Sequence, residues 1–169
     1  VHRDLEWHHL NTLLDRTTNH NPTDVHRIGS ETLSIDSDGT HLACALADGS
    51  IALWDVETAA PFEPIRLERD TTALRFDPMA PSRLVIGTDD GQLVAIDVVT
   101  RERVEIDRAP DAIRSIAFAP DGRTVAIGGD RWLRFVTPDG TVVPHAPAGR
   151  VRHGSFTSDG SAYYAIDAY

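Results

Sequence analysis

Lysine is absent from this sequence, cysteine and methionine occur once each, and only 7% of the residues are aromatic. With Cys44 as the sole cysteine, neither an intrachain disulfide nor a thiolate metal cluster can form. No apolar run approaches the roughly eighteen residues of a membrane-spanning helix, and the opening VHRDLEWHHL is too polar for the apolar stretch of a signal peptide. Basic charge is scarce as well: 16 arginines stand against 26 acidic residues, a net charge of −10. A surface of that sign repels the phosphate backbone whose neutralisation supplies most non-specific nucleic-acid affinity. Neither nucleic acid nor membrane is therefore an expected partner, and a reducing cytoplasm suits a single free thiol. Exclusive use of arginine, beside abundant Ala, Asp, Thr and Val, points to GC-rich bacterial coding.

What is present is a repeat. Four segments end an apolar alternation on a large residue and then turn: LSIDSDG at 33–39, ALRFDPMA at 73–80, SIAFAPDG at 115–122 and GSFTSDG at 154–160. Their anchors, Ile35, Phe76, Phe118 and Phe156, lie 41, 42 and 38 residues apart. Each is followed by a second strand-like run, HLACAL at 41–46, RLVIGT at 83–88, TVAIGG at 124–129 and AYYAID at 162–167. Asp48-Gly49 and Asp90-Gly91 then lead into SIALWDV and QLVAIDV, with WLRFVT at 132–137 as a shortened counterpart. Weaker runs, PIRL at 64–67 and RVEI at 103–106, close the first two units. Asp-Gly between alternating apolar runs marks a hairpin, because glycine accepts positive φ. Each unit thus reads as a four-stranded antiparallel meander, apolar on both faces, that must stack on neighbours as blades do around a propeller axis.

The run LSIDSDGTHLACALADGSIALWDVET at 33–58 resembles a WD40 repeat, including the dipeptide Trp54-Asp55, and the resemblance extends in degenerate form over about residues 30–169. Ile96-Asp97 keeps the acid and loses the tryptophan; Phe135-Val136 loses both. The resemblance implies an all-β propeller fragment of about three to three and a half blades, at about 30–69, 70–110, 111–149 and a partial unit at 150–169. It also implies a non-enzymatic scaffold or sensory module. Bacterial examples often sit in larger signalling proteins. No His matches the family's hydrogen-bond network, so apolar packing is expected to hold the blades. A seven-bladed ring needs on the order of 290 residues, and the chain opens on Val1, so it reads as a fragment. The remaining blades would come from the same parent chain or from another copy. Residues 1–29 stand outside the repeat: 1–16 reads as a short amphipathic helix and 19–24 as a linker, with 24–28 alternatively an outer strand of a preceding blade.

Catalytic motifs are weak. HRDL at 2–5 matches part of a kinase catalytic loop without the glycine-rich loop or DFG that such chemistry needs. His2, His8, His9, His20 and His26 lack metal-ligand spacing. Asp38, Asp48, Asp89, Asp90, Asp121, Asp139 and Asp159 belong to turns without the DxDxDG order of a calcium loop. Ser34, Ser115 and Ser155 sit in inner-strand positions with no GxSxG elbow, and Cys44 lies in an apolar run. No catalytic residue, cofactor or metal is assigned. A propeller hydrolase or lactonase, with a metal in the central channel, is the alternative. The binding surface is expected on the rim where turns after second strands and links between blades fall: Arg69, Asp70, Asp107, Arg108, Asp130 and Arg131. The links at 68–70 and 107–108 are taken to correspond in repeat position, and arginine's planar donor fork suits contacts with a protein partner.

Overall fold

In the computed structural model, residues 32–46, 48–137, 142–144 and 149–167 are described below. The readings of residues 1–29, Asp139 and the five N-terminal histidines lie outside them. Fourteen strands follow in chain order. β1 (Leu33–Ile35), β2 (His41–Ala45), β3 (Ser50–Asp55) and β4 (Ile65–Arg66) form the first sheet; β5 (Thr71–Asp77), β6 (Ala80–Thr88), β7 (Gln92–Asp97) and β8 (Arg103–Arg108) form the second. β9 (Ser115–Phe118), β10 (Val125–Gly128), β11 (Leu133–Val136) and β12 (Val142–Pro144) form the third, and β13 (Val151–Phe156) pairs with β14 (Tyr163–Asp167). Every pairing is antiparallel between consecutive strands. The expected meanders are therefore present: three full blades and half of a fourth. β12 had no counterpart in the sequence reading, and β4 is shorter than the PIRL run suggested.

Alternation along each strand separates two packed faces. In β3, Ile51 and Leu53 join Ala43, Ala45 and Ile65 against Leu74, Phe76, Leu84 and Ile86 of the second blade. Trp54 and Ala52, one residue out of phase, join Leu42 and Cys44 on the opposite face. The seam between blades two and three holds Val85, Leu93 and Ala95 against Ile113, Ile116, Val125 and Ile127. Each fully buried leucine or isoleucine here contributes roughly 1.5–3 kcal/mol. Cys44 is fully buried, and that burial pushes its thiol up to about 11. Among the described residues no helix is long and apolar enough to cross a membrane.

The seams are close because the second strand presents small residues to the next blade. These are Ala43 and Ala45, then Val85 and Gly87, then Ala126 and Gly128, equivalent by their pairing with the first strands. A Cβ on Gly87 would stand 2.6 Å from Ile113 Cγ2, and one on Gly128 would stand 2.5 Å from Val151 Cγ1. Inner strands are also laced together. Phe76 N–H donates to Ser34 Oγ at 3.1 Å, the Thr72 hydroxyl donates to the Ile113 carbonyl at 2.6 Å, and Arg75 Nε donates to the Ile116 carbonyl at 3.4 Å.

The anchors do not behave alike. Phe76 is buried, Phe118 is half-buried, and Phe156 packs edge-on against Phe135 and Tyr163 with centroids 6.1 and 5.0 Å away. Ile35 is 44% exposed. The apolar work of that blade falls on β2 and β3 instead, and β1 contributes Ser34 as a buried polar link.

Candidate interaction rim

Two sets of turns bracket the stack. At one end, between first and second strands, the buried carboxylate of Asp36 accepts from Thr40 N at 2.7 Å and from the Thr40 hydroxyl at 2.8 Å, and meets His41 Nδ1 at 2.7 Å. Asp77 takes the same place in blade two, with Arg83 at 3.6 Å. Burial raises the Asp36 pKa, but the hydrogen bonds from His41 and Thr40 outweigh it and leave the carboxyl below its ordinary range. Because the folded value lies below the unfolded one, the stabilisation is complete above about pH 4 and is lost as pH falls through the folded value. Asp36→Asn is expected to cost about 1–3 kcal/mol at pH 7. It is also expected to flatten the fall of the thermal midpoint between pH 5 and 3, as read by calorimetry. On the same end the acids of the repeat cap the turns after third strands. Asp55 accepts from Thr58 N at 2.7 Å, and Asp97 accepts from Thr100 N at 2.8 Å and Ser82 Oγ at 2.7 Å.

The opposite end carries the residues singled out as the interaction rim. The turn at 88–91 is held by the Thr88 hydroxyl, which donates to Asp90 at 2.7 Å and accepts from Gln92 N at 2.9 Å. The Thr88 hydroxyl, with help from Arg108, holds the Asp90 carboxyl below the usual range. Arg69 Nε and Arg108 Nη1 both reach Asp90 Oδ2, at 3.4 and 3.3 Å, and Asp89 N donates to the carbonyl of Asp70 at 3.0 Å. Arg69, Asp70 and Arg108 are thereby gathered on one turn. Asp107 points to blade three, where Arg134 Nη1 meets it at 3.3 Å and Arg134 Cζ lies 5.9 Å from the centroid of the Trp132 ring. Asp130 forms a separate group with Arg150 at 2.8 Å and Arg114 at 3.9 Å. Arg131 is exposed and holds φ at +78° in the turn between β10 and β11.

The pairing register corrects the assumed correspondence between links. Ser50 pairs with Arg66 and Gln92 pairs with Arg108, so Arg108 is the equivalent of Arg66, and Arg69 lies three residues beyond it. In the first two blades the arginine that ends the outer strand reaches the acid of the turn after the second strand, Arg66 to Asp48 at 3.3 Å and Arg108 to Asp90 at 3.3 Å; in blade three the acid of that turn, Asp130, is met at 2.8 Å by Arg150, just before β13. Positions 66, 108 and 150 are each 42 apart. That spacing is present in the sequence, but Arg66 and Arg150 lie outside the links at 68–70 and 107–108. These pairs are solvent-exposed and each is worth about 0–1 kcal/mol, so a partner's carboxylate can take over an arginine at little cost to the fold. A groove of about 390 Å³ lies at the Arg108–Asp90 pair, lined by Arg69, Arg103 and Arg108 together with Glu68, Asp90 and Glu105.

Among the described residues no three His, Cys, Asp or Glu side chains converge as metal ligands. Leu74 and Ile116 of the first strands are fully buried in the seams, and Leu33 is partly buried.

The model of the family "WD domain, G-beta repeat" matches residues 16–55 and 104–136. Both matches stop where a third strand stops, at Asp55 of β3 and at Val136 of β11. Protein HIR1 of Candida albicans is 26% identical over 103 residues, which cover 58% of this chain and 10% of that protein. The chain thus spans about a tenth of the length of this relative.

Proposed function

We propose, from the premise that this chain is a WD40-repeat-like domain forming a partial β-propeller, that it is a non-enzymatic protein-interaction scaffold within a larger, cytoplasmic, bacterial regulatory protein. The observation that supports this most directly is the repeated rim. Blades one and two present an outer-strand arginine paired with the acid of the turn after the second strand, and in blade three Asp130 of that turn pairs with Arg150, each pair exposed and exchangeable. Arg69, Arg108 and Arg131 are the contacts this reading assigns, with Asp70, Asp107 and Asp130 between them. A ring completed by further blades of the parent chain, or by another copy, would extend the same rim.

Proteins retained on the immobilised chain, identified and then purified, provide the test. Arg69→Ala combined with Arg108→Ala is expected to weaken a genuine partner by about tenfold or more, since truncated arginine hot spots cost about 2 kcal/mol or more. The thermal midpoint should move by no more than about 2 °C, because both pairs are surface pairs. Unchanged affinity would remove the rim from consideration. A stoichiometric divalent ion in the purified chain would instead favour the hydrolase or lactonase reading.

A further inference from the structure

Between the outer strands of blades one and two lies a cleft whose charge is opposite in sign to that of the chain. Arg101 Nη2 donates to the Glu63 carbonyl at 2.7 Å, and Arg103 Nη2 donates to the Arg66 carbonyl at 3.2 Å. Both guanidinium groups thus rest on neutral backbone acceptors of the neighbouring blade. Among the described residues neither forms an ion pair, whereas Arg66 and Arg108 nearby are taken by Asp48 and Asp90. Glu102, which stands between the two arginines in sequence, does not line the cleft, and Glu105 further along β8 is engaged by Gln92 and Arg108.

The turn that carries Arg101 repeats a turn of blade one. Asp55 and Asp97 cap Thr58 N and Thr100 N, and Asp55 N and Asp97 N donate to the carbonyls of Ala60 and Glu102. Arg101 therefore stands where blade one has Ala59, and both hold positive φ, +66° and +58°. That backbone is disfavoured for any residue with a Cβ, and alanine meets its needs in blade one, so the turn itself does not call for a guanidinium. The cleft encloses about 160 Å³, with the buried side chains of Ile65 and Ile96 among its walls and Glu63 as its one acid among the described residues.

We infer that this cleft receives the phosphate of a phosphorylated serine or threonine on a protein partner, gripped by Arg101 and Arg103. Two guanidinium groups without a carboxylate match a phosphate monoester, which carries a charge of about −1.5 to −2 at pH 7, better than a single carboxylate. The volume is below the roughly 300–1,000 Å³ of clefts that enclose a whole small molecule, so it suits the end of one side chain. A net charge of −10 opposes approach to an anionic lipid surface. The inference rests on the scaffold reading and names a contact outside the six rim residues.

The test titrates the 169-residue chain with the blocked tripeptide Ala-phosphoserine-Ala and follows the arginine Nε–Hε signals by nuclear magnetic resonance. The signals of Arg101 and Arg103 should shift saturably, and the peptides with serine or glutamate at the centre should bind about tenfold more weakly or not at all. Arg101→Ala and, independently, Arg103→Ala should weaken binding by about tenfold or more, while Arg69→Ala leaves it unchanged. Arg101→Lys keeps a donor for the Glu63 carbonyl and should still weaken binding by about threefold or more; it replaces Arg101→Ala if the thermal midpoint shows that the alanine variant has lost its fold. Affinity should also fall between about pH 7.5 and 5, as the phosphate passes from dianion to monoanion near pH 6; among the described residues no histidine lines the cleft to titrate in its place. Absence of a saturable shift, equal binding of the glutamate peptide, or indifference to the substitutions overturns the inference, and rim-dependent capture would then stand by itself. Binding to vesicles containing phosphatidylinositol phosphate that Arg101→Ala abolishes, with no response to the tripeptide, overturns it in favour of a lipid headgroup.

Discussion

Gly91→Ala should lower the stability of the chain by about 3 kcal/mol or more, which for a domain of this size moves the thermal midpoint down by about 6–12 °C. Two costs add. Gly91 holds φ at +85°, where a residue with a Cβ is disfavoured by about 1–2 kcal/mol. The new methyl would also stand 2.5 Å from the Ala109 carbonyl oxygen and 2.8 Å from that of Asp111. Both obstacles are backbone, so neither can rotate away, and forced overpacking costs about 1–3 kcal/mol. The link at 109–113 is held on the same turn by Ala109 N to the Gly91 carbonyl at 2.8 Å and Ile113 N to the Thr88 carbonyl at 3.1 Å. A displaced link would loosen Ile113 from its seat on Gly87, so the loss should spread into the seam. Gly39→Ala separates the two costs. Gly39 has φ of +72° but nothing within 4 Å of the added atom, so it should lose only about 1–2 kcal/mol. Urea unfolding of the two variants side by side decides the point: equal losses would mean that crowding at position 91 is relieved elsewhere.

Trp54→Ala should cost about 3–5 kcal/mol, the range for an aromatic side chain removed from a packed interior. Trp54 is 2% exposed and packs with Leu42, Cys44 and Ala52. Trp54→Phe should cost far less, at most about 1.5 kcal/mol. Among the described residues the buried indole Nε1 has no hydrogen-bond acceptor, so phenylalanine removes an unsatisfied donor along with part of the volume. If Trp54→Phe proved as damaging as Trp54→Ala, the indole N–H would be making a bond that this geometry does not show. The tryptophan of the repeat dipeptide acts through volume, while its neighbour Asp55 acts through hydrogen bonds to Thr58.

These two residues illustrate what could be read in advance. Period-two alternation and Asp-Gly turns located the strands of blades one and two, because both are local properties of the chain. β12 escaped, since VVP carries too few residues to show a period. Ile35 was expected to resemble the phenylalanines at equivalent positions, yet which face of a three-residue strand is covered depends on strands far off in sequence. The rim was legible as a place and only partly as a set of residues. Arg108 was found by type, whereas Arg66 emerges once strand register aligns it with Arg108, and Arg150 only once the fold brings it to Asp130. Tyr164 and Ile166 looked like any apolar run, because their oddity lies in what stands at equivalent positions, and that comparison needs the pairing of β13 with β14.

Small residues on one side of each second strand and large ones on the side that meets them make the stack directional. Two copies could not join through like faces, since a small face fits only a large one; association through the ends would have to run head to tail. Head-to-tail contacts that do not close into a ring grow into filaments. Whatever covers the face of β14 must make room for Tyr164 and Ile166, which stand where the earlier second strands place Ala43 and Ala45, Val85 and Gly87, and Ala126 and Gly128.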